Sequence, residues 1–347
     1  MIAKSQRILG LDIGSCGVKA VEVARNGEKF TVTGFAEAEI ASSGTLKDAI
    51  GAVVREGRFK SKQVISSVSG RSVIVRYINT PQMKTADLKA SMKFEADKYI
   101  PFEVNEVILD CIPLEEKPAA QTGEMRVVLV AVKREVVNEH VRVLQEMGLY
   151  PYIIDVDCFA LGNAFEFGAQ ARAAAEGADG ANGKGAAYAL IDIGAQKTNI
   201  NIFKGGNSHF TREVYVGGED LTEAVSKHLG VSTPEAEGIK RGGQRESVVL
   251  EAVSQTLDDL SNEIYLSFDY FENQFDAKIE KVFLSGGGSM LKGLPGVASQ
   301  TLSRPVTAWN PLDGFDIDLP DAQAVKLRTK APQMAIAMGL ASRLRKV

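Results

Sequence analysis

Apolar positions along the chain fall into one order of elements that occurs twice. The first copy runs Leu9-Gly10-Leu11-Asp12-Ile13-Gly14, turns on Ser15-Cys16-Gly17, and resumes as an alternating run through Val21-Glu22-Val23. The second runs Ala189-Leu190-Ile191-Asp192-Ile193-Gly194, turns on Ala195-Gln196-Lys197, and resumes as Ile200-Asn201-Ile202-Phe203, its aspartate 180 residues after Asp12. A turn at Asn26-Gly27 then leads into a strand from Phe30, and a turn at Gly205-Gly206 into a strand through Phe210. Apolar runs flanking such dipeptides read as hairpins. Helical spacing follows in both copies, at Leu46, Ala49, Ile50 and Val53 and at Leu221, Ala224, Val225 and Leu229. Each copy later shows a strand that ends in Ser-Gly, Val64 to Gly70 and Val282 to Gly286. The repeat predicts two related α/β halves, with the cleft between them as the natural ligand site.

The first half carries an insert, roughly Val73 to Pro151. A helix is expected from Thr85 to Tyr99, ended by Pro101, then strands at Val107–Ile112 and Val127–Val132, then a helix with Val136, Val137, His140, Val141, Leu144 and Met147 on its apolar face. We read this as a small α+β unit of its own. Gly168 to Gly185 is rich in Ala and Gly and reads as the end of a helix followed by a mobile loop. In the second half a long helix spans about Ser247 to Phe275. Its stripe of Leu250, Val253, Leu257, Leu260, Ile264, Phe268, Phe271 and Phe275 is expected to bury against that half's own sheet.

Composition narrows the class. The chain has 347 residues, enough for about two domains of roughly 150 each. Hydrophobic residues at 45% and charged residues at 24% are those of an ordinary globular protein, which excludes disorder of the whole chain. A net charge of -4 argues against a dedicated nucleic-acid binder. No stretch has the roughly 18 consecutive apolar residues of a membrane span, and Met1 to Arg7 lacks the order of a signal peptide. Cys16, Cys111 and Cys158 are too few and too scattered for a disulfide framework, and fit a reducing compartment. Cys16 reads as a small filler.

The candidate chemistry lies at the repeated turns. Asp12 and Asp192 end strands beside glycine-bearing turns, and such a turn can aim backbone N–H groups at a phosphate oxygen. Ser15 adds a hydroxyl donor, and Lys19 can supply positive charge to the terminal phosphates of a triphosphate. The two carboxylates could hold Mg²⁺ through water, since that ion prefers oxygen ligands and keeps several waters. Either turn alone is more often an ordinary tight turn; the matched pair reverses that weighting. Glu237 and Lys240 share a face of a helix expected from Pro234 to Arg241. They form either a surface ion pair of about 0.3–0.5 kcal/mol or a ribose or adenine contact. Gly286-Gly287-Gly288 is either a turn or a backbone surface on which a nucleoside lies. Asp155 and Asp157 follow the strand Tyr152-Ile153-Ile154; Asp157 either caps the next helix or orients an attacking water.

These residues resemble the actin, Hsp70 and sugar-kinase superfamily. Leu11 to Ser15 with Lys19 is similar to its first phosphate motif and Ile191 to Gly194 to its second. Asp155 to Ala160 and Met334 to Ala341 are similar to its connecting helices, and Leu284 to Gly288 to its adenosine motif. Within the superfamily the chain resembles the PilM family of type IV pilus assembly proteins and, more distantly, the cell-division FtsA proteins. The residues that carry this are Thr80-Pro81-Gln82-Met83, Glu95-Ala96-Asp97-Lys98-Tyr99-Ile100-Pro101-Phe102, Val107 to Asp110, Arg304-Pro305-Val306 and Asn310-Pro311.

The resemblance implies a duplicated ribonuclease H-like α/β fold of the actin/Hsp70/FtsA type. Residues 1–72, 151–167 and 331–347 would form the first actin-like subdomain, 73–150 an inserted α+β subdomain, 168–186 a flexible loop and 187–330 the second half. It implies ATP with Mg²⁺ as ligand, held by Asp12, Gly14, Ser15, Cys16, Lys19, Gly194, Ala195, Gly218, Glu237, Lys240 and Gly286 to Gly288, with Asp192 and Asp157 as the catalytic candidates. The implied partner is the cytoplasmic tail of an inner-membrane PilN-like protein, seated beside the insert, with other pilus assembly proteins or a second copy as further candidates. A cytoplasmic protein that reaches the membrane through that partner is expected. Two departures argue against rapid hydrolysis: Ala195 stands where actins carry an acidic residue, and Asp157 is the nearest candidate to position water. An FtsA-like filament protein and a small-molecule kinase of the same superfamily are the competing readings.

Overall fold

The computed structural model describes residues 6–114, 123–176 and 186–345. Three antiparallel strands open the chain, β1 (Gln6–Ile13), β2 (Gly17–Asn26) and β3 (Lys29–Glu39). The short α1 (Ile40–Ser43) leads to α2 (Leu46–Gly57) and then to β4 (Gln63–Val68), parallel to β1. Helix α2 starts where it does because Thr45 and Asp48 form a reciprocal capping box, which satisfies amides that a first turn leaves unpaired. The insert follows as β5 (Val73–Pro81), α3 (Thr85–Glu95), β6 (Val107–Pro113) and β7 (Glu124–Lys133), a three-stranded sheet in the order β5-β7-β6. The chain then returns through α4 (Arg134–Glu146), β8 (Tyr150–Val156) and α5 (Asp157–Glu176).

The second half repeats the opening with β9 (Ala187–Ile193), β10 (Thr198–Lys204) and β11 (Asn207–Val214). Helices α6 (Gly218–Leu229), α7 (Thr233–Gly242) and α8 (Glu246–Phe275) precede β12 (Ile279–Ser285), α9 (Leu294–Leu302) and β13 (Val306–Ala308). The chain closes with β14 (Asp316–Ile317), α10 (Asp321–Thr329) and α11 (Ala335–Ser342). The large sheets run β14-β3-β2-β1-β4-β8 and β11-β10-β9-β12-β13. Apart from β14 they have the same strand order and the same parallel and antiparallel pairings. The internal repeat in the sequence is therefore a repeat of topology.

The middle of the molecule is a helix pair. Helices α5 and α11 bury Ala160, Leu161, Phe165, Met338 and Leu340 among residues of both sheets, including Ile65 and Leu190. Gly339 and Gly10 make this possible: a Cβ on Gly339 would stand 1.7 Å from the Ala160 carbonyl oxygen, and one on Gly10 2.2 Å from that of Ala337. Helix α8 buries Val253, Leu257, Leu260, Ile264, Phe268 and Phe271 against the second sheet, as its stripe requires.

Four features differ from the sequence reading. Val73–Pro81 is a strand, edge-paired to β7, although its apolar residues show no clean alternation. Helix α4, read as part of the insert, buries Val143 and Leu144 with Leu9, Leu11 and Ile50 of the first half, because its apolar face meets β4 and β8 rather than the insert's sheet. The segment after β13, read with the second half, packs Trp309, Leu312 and Leu327 into the central cluster, and β14 pairs with β3. The glycine-rich segment is helical as far as Glu176, and the mobile loop expected beyond it falls at 177–185, outside the described residues. No helix among the described residues is long and apolar enough to cross a membrane.

Candidate functional site

The repeated turns close in the same way. The Gly14 amide donates to the Gly17 carbonyl at 3.0 Å, and the Gly194 amide to the Lys197 carbonyl at 2.9 Å. Each turn therefore joins two strands of a hairpin and leaves its aspartate at the strand end. Lys19 lies opposite Asp12 in the β1–β2 register, which puts both side chains on one face; Nζ stands 2.9 Å from Asp12 Oδ2. Burial alone would push the Lys19 ammonium down, but Asp12 beside it, with Asp192 nearby, holds it above its ordinary value. Asp192 accepts a hydrogen bond from the Ser285 hydroxyl at 2.7 Å. Burial, with Asp12 and Asp157 adding repulsion, pushes its carboxyl up to about 6 against the opposing effects of Ser285 and Lys19. Both aspartates are 8% exposed.

The second turn sits on the start of α6. The Gly218 amide donates to the Gly194 carbonyl at 2.9 Å and the Glu219 amide to that of Ala195 at 2.8 Å. Lys240 on α7 reaches the Gly218 carbonyl at 2.8 Å and pairs with Glu237 at 2.7 Å. The ion-pair alternative is the one present, and the pair lies beside the turn rather than on an open surface. Partial burial raises Glu237, but Lys240, Thr222 and Arg241 hold it below the usual carboxylate range. Arg241 also spans the cleft to Glu39 at 3.2 Å.

The three glycines after β12 divide their roles. A Cβ on Gly286 would lie 2.4 Å from the Ile193 carbonyl oxygen, and one on Gly288 2.3 Å from the Ile193 side chain. These two permit close packing behind the second turn. Gly287 is exposed, with only the Gln333 side chain near, at 3.9 Å. It offers the open backbone surface. Exposed Met290 lies beside it, its sulfur 3.1 Å from Gln333 Nε2.

Cys16 differs from its reading, and Asp157 makes more contacts than capping the next helix requires. Cys16 is no filler: it is exposed, and its Sγ donates across the cleft to Glu219 at 2.8 Å. Partial burial and the Glu219 carboxylate push the thiol up to about 11. Asp157 has both oxygens engaged. Oδ1 accepts the Cys158 amide at 2.7 Å, while Oδ2 accepts Lys197 at 2.7 Å and Asn199 at 3.0 Å. Asp155 is paired with Arg343. The sequence reading missed Lys197, Asn199, Glu213, Ser285 and Glu219. The alternation of Asn199 and Asn201 within an apolar strand was the one available sign that this face of β10 is polar.

The two turns thus lie near each other: Lys19 and Asp12 act on Asp192, Cys16 reaches Glu219 and Arg241 reaches Glu39. No group of three or more His, Cys, Asp or Glu able to hold a metal occurs among the described residues. Two buried carboxylates alone do fit a hard cation that keeps its waters and takes other ligands from phosphate.

A duplicated sheet, a central helix pair and paired turns at the cleft define an actin-like protein. The chain belongs to the family of the type IV pilus assembly protein PilM, whose profile matches residues 10–345. It is similar to the solved structure of a PilM-PilN type IV pilus biogenesis complex, at 27% identity over 97% of this chain and 98% of that one, with a TM-score of 0.81. MreB5 of Spiroplasma citri, solved bound to ADP, shares the fold at 12% identity over 98% and 97% of the two chains, TM-score 0.51. Cell division protein FtsA of Bacillus subtilis (strain 168) is 43% identical over 58 residues, which are 17% of this chain and 13% of FtsA.

Proposed function

We propose that the cleft binds ATP with Mg²⁺ and that the chain acts in type IV pilus assembly as a cytoplasmic scaffold, holding the tail of a PilN-like inner-membrane protein. The observation that carries the nucleotide reading is the pair of equivalent turns, each with a buried aspartate, with Lys19 between them. Asp12 and Asp192 would hold Mg²⁺ through water, and the ion would neutralise phosphate charge. Lys19 and the turn amides would bind the phosphates, and Gly287 would face the nucleoside. Asp157 serves as a structural anchor in this reading, which agrees with slow or absent hydrolysis. The partner reading rests on family membership and on the PilN bound by the similar PilM structure.

ATP with Mg²⁺ is expected to stabilise the protein by about 2.7 kcal/mol at a hundredfold excess over Kd. Lys19→Ala lowers the ligand-free melting temperature, because it leaves Asp12 buried without its cation. It is also expected to remove most of the ATP-induced increment, and that increment is the quantity to compare. An equal increment in wild type and variant takes Lys19 out of the site.

For the partner, a synthetic cytoplasmic tail of a PilN-like protein is expected to slow hydrogen exchange within Val73 to Pro151 and on the adjoining first-half surface. An extended peptide that adds to a sheet edge protects backbone amides directly. Protection confined to residues beyond Gly185 places the partner elsewhere.

A further inference from the structure

Resting on the nucleotide reading of the second turn, we infer that Lys197 is a positioning residue that ties this turn to the insert, so that occupancy of the cleft alters how the insert is held. Lys197 is the last residue of the turn, and its carbonyl closes it. Its ammonium bridges two carboxylates, Asp157 Oδ2 at 2.7 Å and Glu213 Oε1 at 2.5 Å. The same Glu213 oxygen accepts the Gly70 amide at 3.0 Å. Gly70 and Arg71 begin the link from β4 into the insert, and the Arg71 guanidinium lies 4.7 Å from the ring of Tyr215, which itself donates to Glu213. Two carboxylates thus meet on one ammonium, and one of them, Glu213, also holds the Gly70 amide at the start of the link into the insert.

A second line runs from the same helix start to the insert. The Cys158 carbonyl accepts Asn201 Nδ2 at 2.7 Å, Asn201 Oδ1 accepts the Ser208 hydroxyl at 2.6 Å, and Ser208 meets the Tyr77 hydroxyl of β5 at 2.8 Å. Asn201 is fully buried. Arg126 of β7 adds a contact over the Phe275 ring at 4.2 Å. The insert is therefore fastened to the second half as well as to the first.

The coupling follows from the backbone. A phosphate seated on the turn draws its amides inward, and Lys197 moves with them because it is part of the turn. Asp157 and Glu213 then follow the ammonium or lose it, and a buried carboxylate without its cation is strongly disfavoured. Such a coupling is reciprocal, so whatever binds the insert changes nucleotide affinity by the same factor.

Hydrogen exchange of the full chain with and without ATP and Mg²⁺ tests this, with the thermal shift read on every sample. In wild type, ATP is expected to change exchange over residues 70–81 roughly threefold or more. In ligand-free Lys197→Met these amides are expected to exchange about tenfold faster than in wild type, and ATP no longer changes them. Lys197→Arg, which can bridge both carboxylates, restores the wild-type pattern. Glu213→Gln keeps an acceptor for the Gly70 amide but no ion pair, so it loses the ATP response with less loosening; it carries the test if Lys197→Met does not fold. A wild type that binds ATP without a response at 70–81, or a Lys197→Met variant that keeps the response, overturns the inference. No thermal shift in wild type overturns the nucleotide reading and the coupling with it, while the ligand-free comparison still decides whether Lys197 holds the insert.

Discussion

Gly339→Ala is expected to destabilise the protein by about 3 kcal/mol or more, at the upper end of what overpacking does. Helix propensity alone predicts the opposite sign, since alanine is favoured over glycine by roughly 1 kcal/mol inside a helix. Contact geometry decides. The new Cβ would stand 1.7 Å from the Ala160 carbonyl oxygen and 2.5 Å from its carbon, and both are backbone atoms of α5. No rotamer change relieves backbone against backbone, so α5 and α11 must separate. That separation opens the central cluster, where Leu161, Phe165, Met338 and Leu340 are buried together. Gly238 on α7 is the control, because nothing lies within 4 Å of its Cβ position. Gly238→Ala should be neutral or stabilising by up to about 1 kcal/mol. Urea unfolding of both variants checks the pair. A Gly339→Ala protein as stable as wild type would mean that the helices do not approach this closely.

Asp192→Asn is expected to stabilise the ligand-free protein at pH 7.5 while abolishing the ATP-induced thermal shift. The Asp192 carboxyl stands at about 6 in the folded state against an ordinary value of 3.8, chiefly through burial. The folded state therefore binds this proton more tightly than the unfolded chain does. Between about pH 4 and pH 6 the native state carries more protons, so stability falls as pH rises through that window and stays lowered above it. At 1.36 kcal/mol per unit the penalty above pH 6 is about 3 kcal/mol at most. Asparagine removes the charge and still offers an oxygen to the Ser285 hydroxyl, which donates at 2.7 Å in wild type. The gain should thus appear at pH 7.5 and vanish near pH 4. Equal pH dependence of unfolding in wild type and variant would show that Asp192 carries no such penalty. If Asp192 holds a cation-bound phosphate as proposed, its charge would show the usual trade between stability and function.

The duplicated α/β architecture was legible along the chain, because strand alternation, hairpin turns and helical spacing are local and occurred twice in one order. The two equivalent glycine turns were legible for the same reason, and periodicity placed the α8 stripe and helix α3 of the insert. Which surface covers a given apolar face depends on packing between elements distant in the chain. The stripe of α4 was legible, but nothing local says that it meets Leu9 and Leu11 rather than the insert's sheet. β5 was hidden because an edge strand with half-covered faces has no clean alternation. The same limit applies to charge. Asp157 and Lys197 are 40 residues apart, Gly70 and Glu213 143, and Cys16 and Glu219 203. Each of these side chains alone reads as an ordinary polar residue. What makes it an anchor, a clamp or a cleft contact is a partner brought within hydrogen-bond distance by the packing of α5 and α11 between the two sheets, and periodicity along one chain carries no information about distance across it.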